Sequence, residues 1–587
     1  MEKESEQDHL PKEDSAKVND ITPELDEKIT DSVVDDIERQ ESDELLKAKD
    51  EEIEKAFDPP KSKWQSFRKW CNDIWDEPKY RWSIIVGTVA FFLLVFLIPP
   101  TRYFVFNTIG FRGSLSIKVV DDKTEQPLKN VNVNIRGKSA KTDDSGTVKI
   151  EKIKLGTTKL EVDRVAYATI RQNITIGLGA NDLGTKQMNG VGVRLLFRSI
   201  DWLSKNPVEK VEASVGESSA FSDSDGKIEL VLEPSSNMSV DINFTAKNYL
   251  KKTATVNMDD KSEIETQMVV DYPHYFVSKR SGKYDLYKIN MDRSDEKLIL
   301  AGTGTEREQT LDLSSNNSHS YLAFVSQREN DRNKDGYQME TLNLIKKSGD
   351  EVKKITNSED VRLVGWTDKH LVYVKIAAGA SGQNASRYRL ISYELENGKE
   401  LELASSNYFV DVVMINDAVY YVPSDFYRSA VRGLYRVKPD GSNKAAIVSE
   451  DTWSLFRTDV DQLTIQTPDK WYKYTIGETN PQPLTVAPNN PVSISFFENS
   501  DYSKSLWKDD RDGKGALLIR DMSNRKDNIL VTKSGLDKAL GWAGEKHVVF
   551  RVVNPTETAD YIISSEAGEA IKIQDVVNVG SDNNSYY

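Results

Sequence analysis

One cysteine, Cys71, stands in the whole chain, and none follows it. Large secreted animal domains are usually stapled by disulfides, so their lack points to a bacterial surface and to folds held by ordinary apolar cores. Histidine is almost as scarce: His9, His274, His319, His370 and His547. None forms an HExxH pair or another metal spacing. The sequence also lacks a GxSxG elbow, a P-loop and a GxGxxG opening a helix. The lone thiol excludes cysteine catalysis beyond residue 71. No enzyme is expected. Basic surplus is missing as well. Of the net −15, residues 1–58 carry −14 (22 acidic against 8 basic), leaving −1 for the remainder. Nucleic acid is therefore excluded as a partner.

Long apolar runs are absent except for one. Residues 82–98 read WSIIVGTVAFFLLVFLI, 17 residues without a charge. At about 1.5 Å per residue such a helix crosses most of a bilayer core of about 30 Å. It is apolar all round, unlike a buried amphipathic helix, and too far from the N-terminus for a signal peptide. Lys61, Lys63, Arg68, Lys69, Lys79 and Arg81 precede it, and only Arg102 and Arg112 follow closely. That asymmetry predicts one transmembrane helix over 82–100 in a cytoplasmic membrane. The N-terminus would lie inside and the C-terminal bulk outside. Pro99-Pro100 is expected to end the helix. Trp64, Phe67, Cys71, Ile74 and Trp75 recur at helical spacing among basic residues, so 59–81 reads as an interfacial segment on the lipid bilayer. Residues 1–58 read as an acidic disordered tail, with a cytoplasmic protein as its candidate partner.

The rest is predicted to be mainly β. Residues 113–270 repeat after about 80 residues: 142–146 (TDDSG) matches 222–226 (SDSDG), and Tyr167 matches Tyr249. Alternation such as VNVNI at 131–135 predicts half-buried strands, hence two small β-sandwiches over 113–188 and 189–270. The order DDKTEQPLKNVNVNI, TDDSGTVKI, GTTKLEVDRVAY resembles the carboxypeptidase-regulatory-like and PEGA-like sandwiches. The glycine usual before the aromatic is Ala166 in one copy and Asn248 in the other. The resemblance implies a spacer or binding module without an active site.

Residues 271–587 repeat every 42–50 residues, with strands expected near Tyr275, Tyr321, Leu371, Val419, Leu463, Ser505 and Val548. That period predicts a β-propeller of about seven blades. Asp575-Val576-Val577 parallels Asp360-Val361-Arg362, so the last segment is expected to supply the innermost strand of the first blade and close the ring. His370 and His547 stand at the same place in two blades, which repeat structure explains. The segment GLYRVKPDGS at 433–442 resembles the TolB-like and WD40-like bacterial propellers. The resemblance implies a binding platform rather than a chemistry.

Two sets of residues are singled out. Asp331, Asn333 and Asp335 in DRNKDG space oxygens as in the first half of a calcium loop, although Leu342 stands where a twelfth-position acid belongs. The same residues suit a plain hairpin turn, so calcium is a structural candidate and no other cofactor is expected. Trp366 and Trp542, each after a glycine, either border a central opening and stack on a ligand or pack between blades. The resulting expectation is a non-catalytic, single-pass binding or scaffold protein whose partner is an extracytoplasmic protein, peptide or glycan. A propeller hydrolase with paired carboxylates and a transmembrane sensor using the tail are the alternatives.

Overall fold

The computed structural model describes residues 67–70, 78–316, 318–428, 432–566 and 568–579. The acidic tail and most of the interfacial segment, including Trp64, Cys71, Ile74 and Trp75, lie outside them. The chain forms two units, Met1–Val105 and Phe106–Tyr587.

In the first unit the apolar run forms helix α1, Pro78–Leu97, with Trp82, Phe91 and Leu97 exposed. The two prolines do not simply stop the chain's helicity. They open a second helix, α2, Pro99–Thr108, because a first-turn residue needs no N–H partner. Arg102 N–H then donates to Ile98 C=O at 3.1 Å. Among the described residues no single helix is long and apolar enough to cross a membrane; Arg81–Leu97 and Pro99–Thr108 reach that length only together, with a 95° bend between them.

The second unit begins with one topology built twice. Strand Gly113–Asp121 buries Leu115, Ile117 and Val119, pairs antiparallel with Thr147–Ile153, and pairs parallel with Gly179–Met188. Facing it is a four-stranded sheet in the order Lys138–Lys141, Asn132–Ile135, Gly156–Asp163, Ile170–Ile176. Residues Val193–Asp201 to Glu263–Met268 repeat the three-over-four arrangement strand for strand. The TDDSG and SDSDG turns have a shared cause. Gly146 and Gly226 sit at φ +71° and +77°, and a Cβ there would lie 2.5 Å from Val119 O and 2.3 Å from Ser199 O. Only glycine fits that approach.

Among the described residues seven antiparallel sheets follow, named I to VII. Sheet I has three strands (His274–Ser278, Asp285–Ile289, Lys297–Leu300). Sheets II to VII have four each and start at Asp312–Ser315, Val361–Trp366, Tyr408–Ile415, Ser454–Asp459, Phe497–Glu498 and Leu536–Ala543. Each is a meander of consecutive strands, the blade of a β-propeller. The second strands are the most apolar: Leu371, Val372, Tyr373 and Val374 are all buried in sheet III. Among the described residues, which end at 579, no closing strand pairs with sheet I. Val577 N–H donates to Val277 C=O at 2.8 Å, and Val577 and Val579 pack with Val277 and Phe324, but no strand ladder joins them to sheet I. Side chains occupy the carbonyls instead: Arg551 reaches Val577 O at 3.4 Å and Val579 O at 3.3 Å, and Lys538 reaches Val579 O at 3.2 Å.

Candidate functional site

Strand direction alternates within each sheet, so loops sort onto two faces. Connections after the second strands, such as 327–339, 377–387, 425–428 and 467–470, share one face with the links between sheets. Connections after the first and third strands share the other. The second sandwich meets this other face. His547, at the start of a second strand, lies 3.0 Å from Asp201. Glu566, after a third strand, accepts from Asn206 at 2.7 Å. On the same face Lys347, after another third strand, donates at 2.7 Å to the C=O of Asp271, in the link that follows the sandwich. The loop face therefore points away from the sandwich. It carries exposed rings: Tyr337, Phe426 and Tyr427 are 69%, 70% and 58% exposed, and Trp453 is 46% exposed. Asn407, itself buried, ties two of these loops together: its Nδ2 donates to Gly382 O at 2.7 Å and Asn384 O at 2.9 Å, and its Oδ1 accepts from Phe426 N–H at 3.4 Å. Phe426 lies 4.9 Å from Tyr408, centroid to centroid.

Between the sheets lies a cavity of about 730 Å³, walled by Asp312, Trp366, Phe497, Asp509, Lys538 and Trp542 among others. Both singled-out tryptophans are on this wall. Trp366 is half-buried and donates to Ser314 Oγ at 2.9 Å; Trp542 is buried and donates to Phe497 O at 2.8 Å. Their indole N–H groups are thus spent on the protein, and their rings pack into neighbouring cores.

Three enclosed carboxyl groups escaped the sequence reading: Asp312 on the cavity wall, and Glu340 and Asp411 elsewhere in the sheets. Burial pushes the Asp312 carboxyl above the usual range, opposed only in part by the Leu313 N–H at 2.8 Å. Burial likewise pushes Glu340 up to about 7, although Val361 N–H donates to it at 2.8 Å. Asp411, on the first strand of sheet IV, is also raised by burial to about 7. His319, on the cavity wall with its ring 4.6 Å from that of Tyr272, is pushed down to about 4 by burial. These residues stand at unremarkable places in sequence; only enclosure perturbs them. Glu340 allows a direct check. Its folded pKa lies above its free value, so the folded state keeps a proton that the unfolded chain loses. Stability is expected to fall as pH rises from about 4.5 to about 7. Glu340→Gln should flatten that slope in thermal-unfolding curves recorded across the window.

The DRNKDG residues are engaged with amides. Asn333 Oδ1 accepts from the N–H of Asp335 at 3.0 Å and of Tyr337 at 2.8 Å, while its Nδ2 donates to Glu359 at 2.7 Å. Asp331 Oδ2 accepts from Asn357 at 2.8 Å, with Lys354 at 3.6 Å. Asn333 thus holds a hydrogen-bonded turn. Among the described residues no group of three His, Cys, Asp or Glu side chains is placed to hold a metal ion. The two repeat-equivalent histidines also differ in use. His370 stays within its own sheet, with Nδ1 3.3 Å from Thr367 Oγ1, whereas His547 meets the sandwich.

No family model matches the sequence, and no curated protein matches it. Several solved structures are similar at low identity. The β-propeller domain of the trilobed protease from Pyrococcus furiosus is 12% identical with a TM-score of 0.34, over 52% of this chain and 91% of that one. TolB from Acinetobacter baumannii is 12% identical with a TM-score of 0.24, over 50% and 80%. An uncharacterized protein from Listeria monocytogenes is 13% identical with a TM-score of 0.33, over 55% and 96%.

Proposed function

We propose that this chain is a membrane-anchored binding protein in which α1 and α2 hold the bilayer, the two sandwiches serve as a stalk, and the propeller offers its loop face to an extracytoplasmic protein, peptide or glycan. In this reading residues 576–579 complete the ring against sheet I, and the basic flank before α1 keeps the N-terminus in the cytoplasm. The observation that carries it is the division of the propeller's faces. One face is occupied by the sandwich through His547 and Glu566. The other displays Tyr337, Phe426, Tyr427 and Trp453, and exposed rings on a rigid mount mark interaction sites. The test uses the full chain in its own membrane. Surface cross-linking should capture a partner, and Phe426→Ala with Tyr427→Ala should lower that capture by about tenfold, as loss of central aromatic anchors does. Unchanged capture overturns the assignment of the face. Digestion of intact cells by an impermeant protease should cut the propeller; an uncut propeller overturns the topology.

A second reading has its own support. Asp312 and Glu340, both held toward the protonated form, suit a general acid in a propeller hydrolase. Under that reading, Asp312→Asn and Glu340→Gln should each abolish turnover on a peptide or glycan panel. A full chain inert on both panels sinks it.

A further inference from the structure

Sheet VI breaks the pattern of its neighbours at the cavity wall. In sheets III and IV the first strand runs beside nearly all of the second, from Val361↔Lys375 to Trp366↔Leu371 and from Tyr408↔Ser424 to Ile415↔Ala418. In sheet VI the first strand is only Phe497–Glu498, and its pairing stops at Phe497↔Leu506 and Glu498↔Ser505. The chain just before it leans on sheet V: Ile494 N–H donates to Arg457 O at 2.9 Å, and Arg457 N–H donates to Ser493 Oγ at 3.3 Å. The second strand of sheet VI, Lys504–Arg511, therefore outruns its inner partner from residue 507 onward.

Register says which main-chain groups this leaves. Arg511↔Lys514 flanks a two-residue turn, with Asp512 at φ +51° and Gly513 at φ +72°. In such a hairpin the flanking residues form the hydrogen-bonded pair, and bonding alternates along the strand. Residues 507, 509 and 511 thus point their N–H and C=O outward to Lys514–Asp521. Residues 508 and 510 point theirs inward. Asp510 N–H is taken by Asp509 Oδ1 at 2.8 Å. The N–H and C=O of Lys508 and the C=O of Asp510 face the side where no strand lies among the described residues. Lys508, Asp509 and Asp510 all line the cavity. An open strand edge is a template for another chain.

We propose that residues 507–510 form a docking edge that takes an extended peptide segment of a partner protein as a substitute first strand of sheet VI. This rests on the binding reading above and places its partner's contact inside the cavity. The occupant is an uncharged segment, because the fixed charges at the edge are already matched: Lys508 with Asp510 at 2.8 Å, Arg511 with Asp509 at 2.7 Å, and Arg457 with Glu498 at 2.6 Å. Main-chain bonds supply the affinity in strand addition, and pockets for alternate side chains supply selectivity. The rings of Phe497 and Trp542 on the same wall suit an apolar side chain.

The probe is a capped hexapeptide of alternating valine and threonine, with a proline-interrupted version as control, added to the full chain. Binding should slow hydrogen exchange at the Lys508 amide by about tenfold, and the proline version should not. Lys508→Pro removes an inward N–H, which an edge strand tolerates, together with the Asp510 ion pair, and should weaken binding by about tenfold, while Lys508→Ala, which loses the same ion pair but keeps the N–H, binds as the parent does. An unchanged Lys508 amide in the parent chain, or equal binding by Lys508→Pro, overturns the proposal. The exchange measurement stands even if the proline variant does not fold. If the cellular partner is lost on changing Phe426 and Tyr427 but kept by Lys508→Pro, the loop face binds it and the docking edge is refuted.

Discussion

Arg551→Ala is expected to destabilise the propeller by about 3–5 kcal/mol, the range for removing one member of a buried ion pair. Arg551 and Asp560 face each other across a hairpin in sheet VII, and both are buried. The guanidinium grips the carboxylate with two bonds, Nε to Oδ1 at 2.7 Å and Nη2 to Oδ2 at 2.9 Å. His274 of sheet I adds a third contact to that carboxylate at 2.8 Å. Burial alone would raise the Asp560 pKa, but Arg551 and His274 hold it below the usual value. The spare nitrogen of Arg551 reaches Val577 O, Asn578 Oδ1 and Val579 O. Truncation to alanine strands a charge in a dry seam and frees the segment beside sheet I. Replacing both partners, Arg551→Met with Asp560→Leu, should recover most of the loss, since no charge is left unpaired. Calorimetry of the propeller transition decides. A loss under about 1 kcal/mol for Arg551→Ala would place the pair among exposed bridges and refute the seam argument.

That pair also shows where the sequence was readable. The runs VVFRVVN and ADYIIS announce buried strands, and one charge interrupting each is a visible anomaly. Their partnership was not visible, because pairing depends on register across a turn. The repeat of about 80 residues was legible for the same reason that Gly146 and Gly226 are: a close backbone approach admits one residue type. Ala166 and Asn248 stand in the left-handed region at φ +66° and +67°, the place where the resembled sandwiches carry glycine. The backbone demand persists although the residue has changed. The enclosed carboxyls were illegible. Asp312, Glu340 and Asp411 differ from solvated turn acids only in their enclosure, and enclosure is a property of seven sheets together. The short first strand of sheet VI was equally hidden, since Val492-Ser493-Ile494-Ser495-Phe496 alternates as a strand would, yet only Phe497–Glu498 pairs with the second strand.

The second large effect is expected at the joint between sandwich and propeller, in acid. Each sandwich ends its first strand in a buried aspartate that accepts from the turn that follows. Asp121 Oδ1 accepts from the N–H of Lys123 at 2.9 Å and of Thr124 at 3.0 Å, and Asp201 Oδ1 from the N–H of Leu203 at 3.0 Å and of Ser204 at 2.8 Å. The next domain then adds a cation or a ring nitrogen. Arg194 of the second sandwich lies 3.5 Å from Asp121, and His547 of the propeller lies 3.0 Å from Asp201. Tyr249 completes the second socket with its hydroxyl 3.2 Å from Asp201 Oδ2. Burial works to raise the Asp201 pKa, but His547 and the Ser204 donors bring it from 3.8 down to about 2. A folded pKa below the unfolded one stabilises the fold in full above about pH 4, and the contribution disappears as pH falls through about 2. The shift corresponds to about 2 kcal/mol. Asp201→Asn should therefore remove an acid-dependent step from the unfolding curve between those pH values, and His547→Ala should shrink it. Asp121→Asn leaves His547 and Asp201 in place, so the step should persist in that variant. A step of equal size in Asp201→Asn would mean that another carboxylate carries the acid sensitivity, and that the joint rests on its apolar contacts around Val270 and Tyr272 and on the Asn206–Glu566 bond.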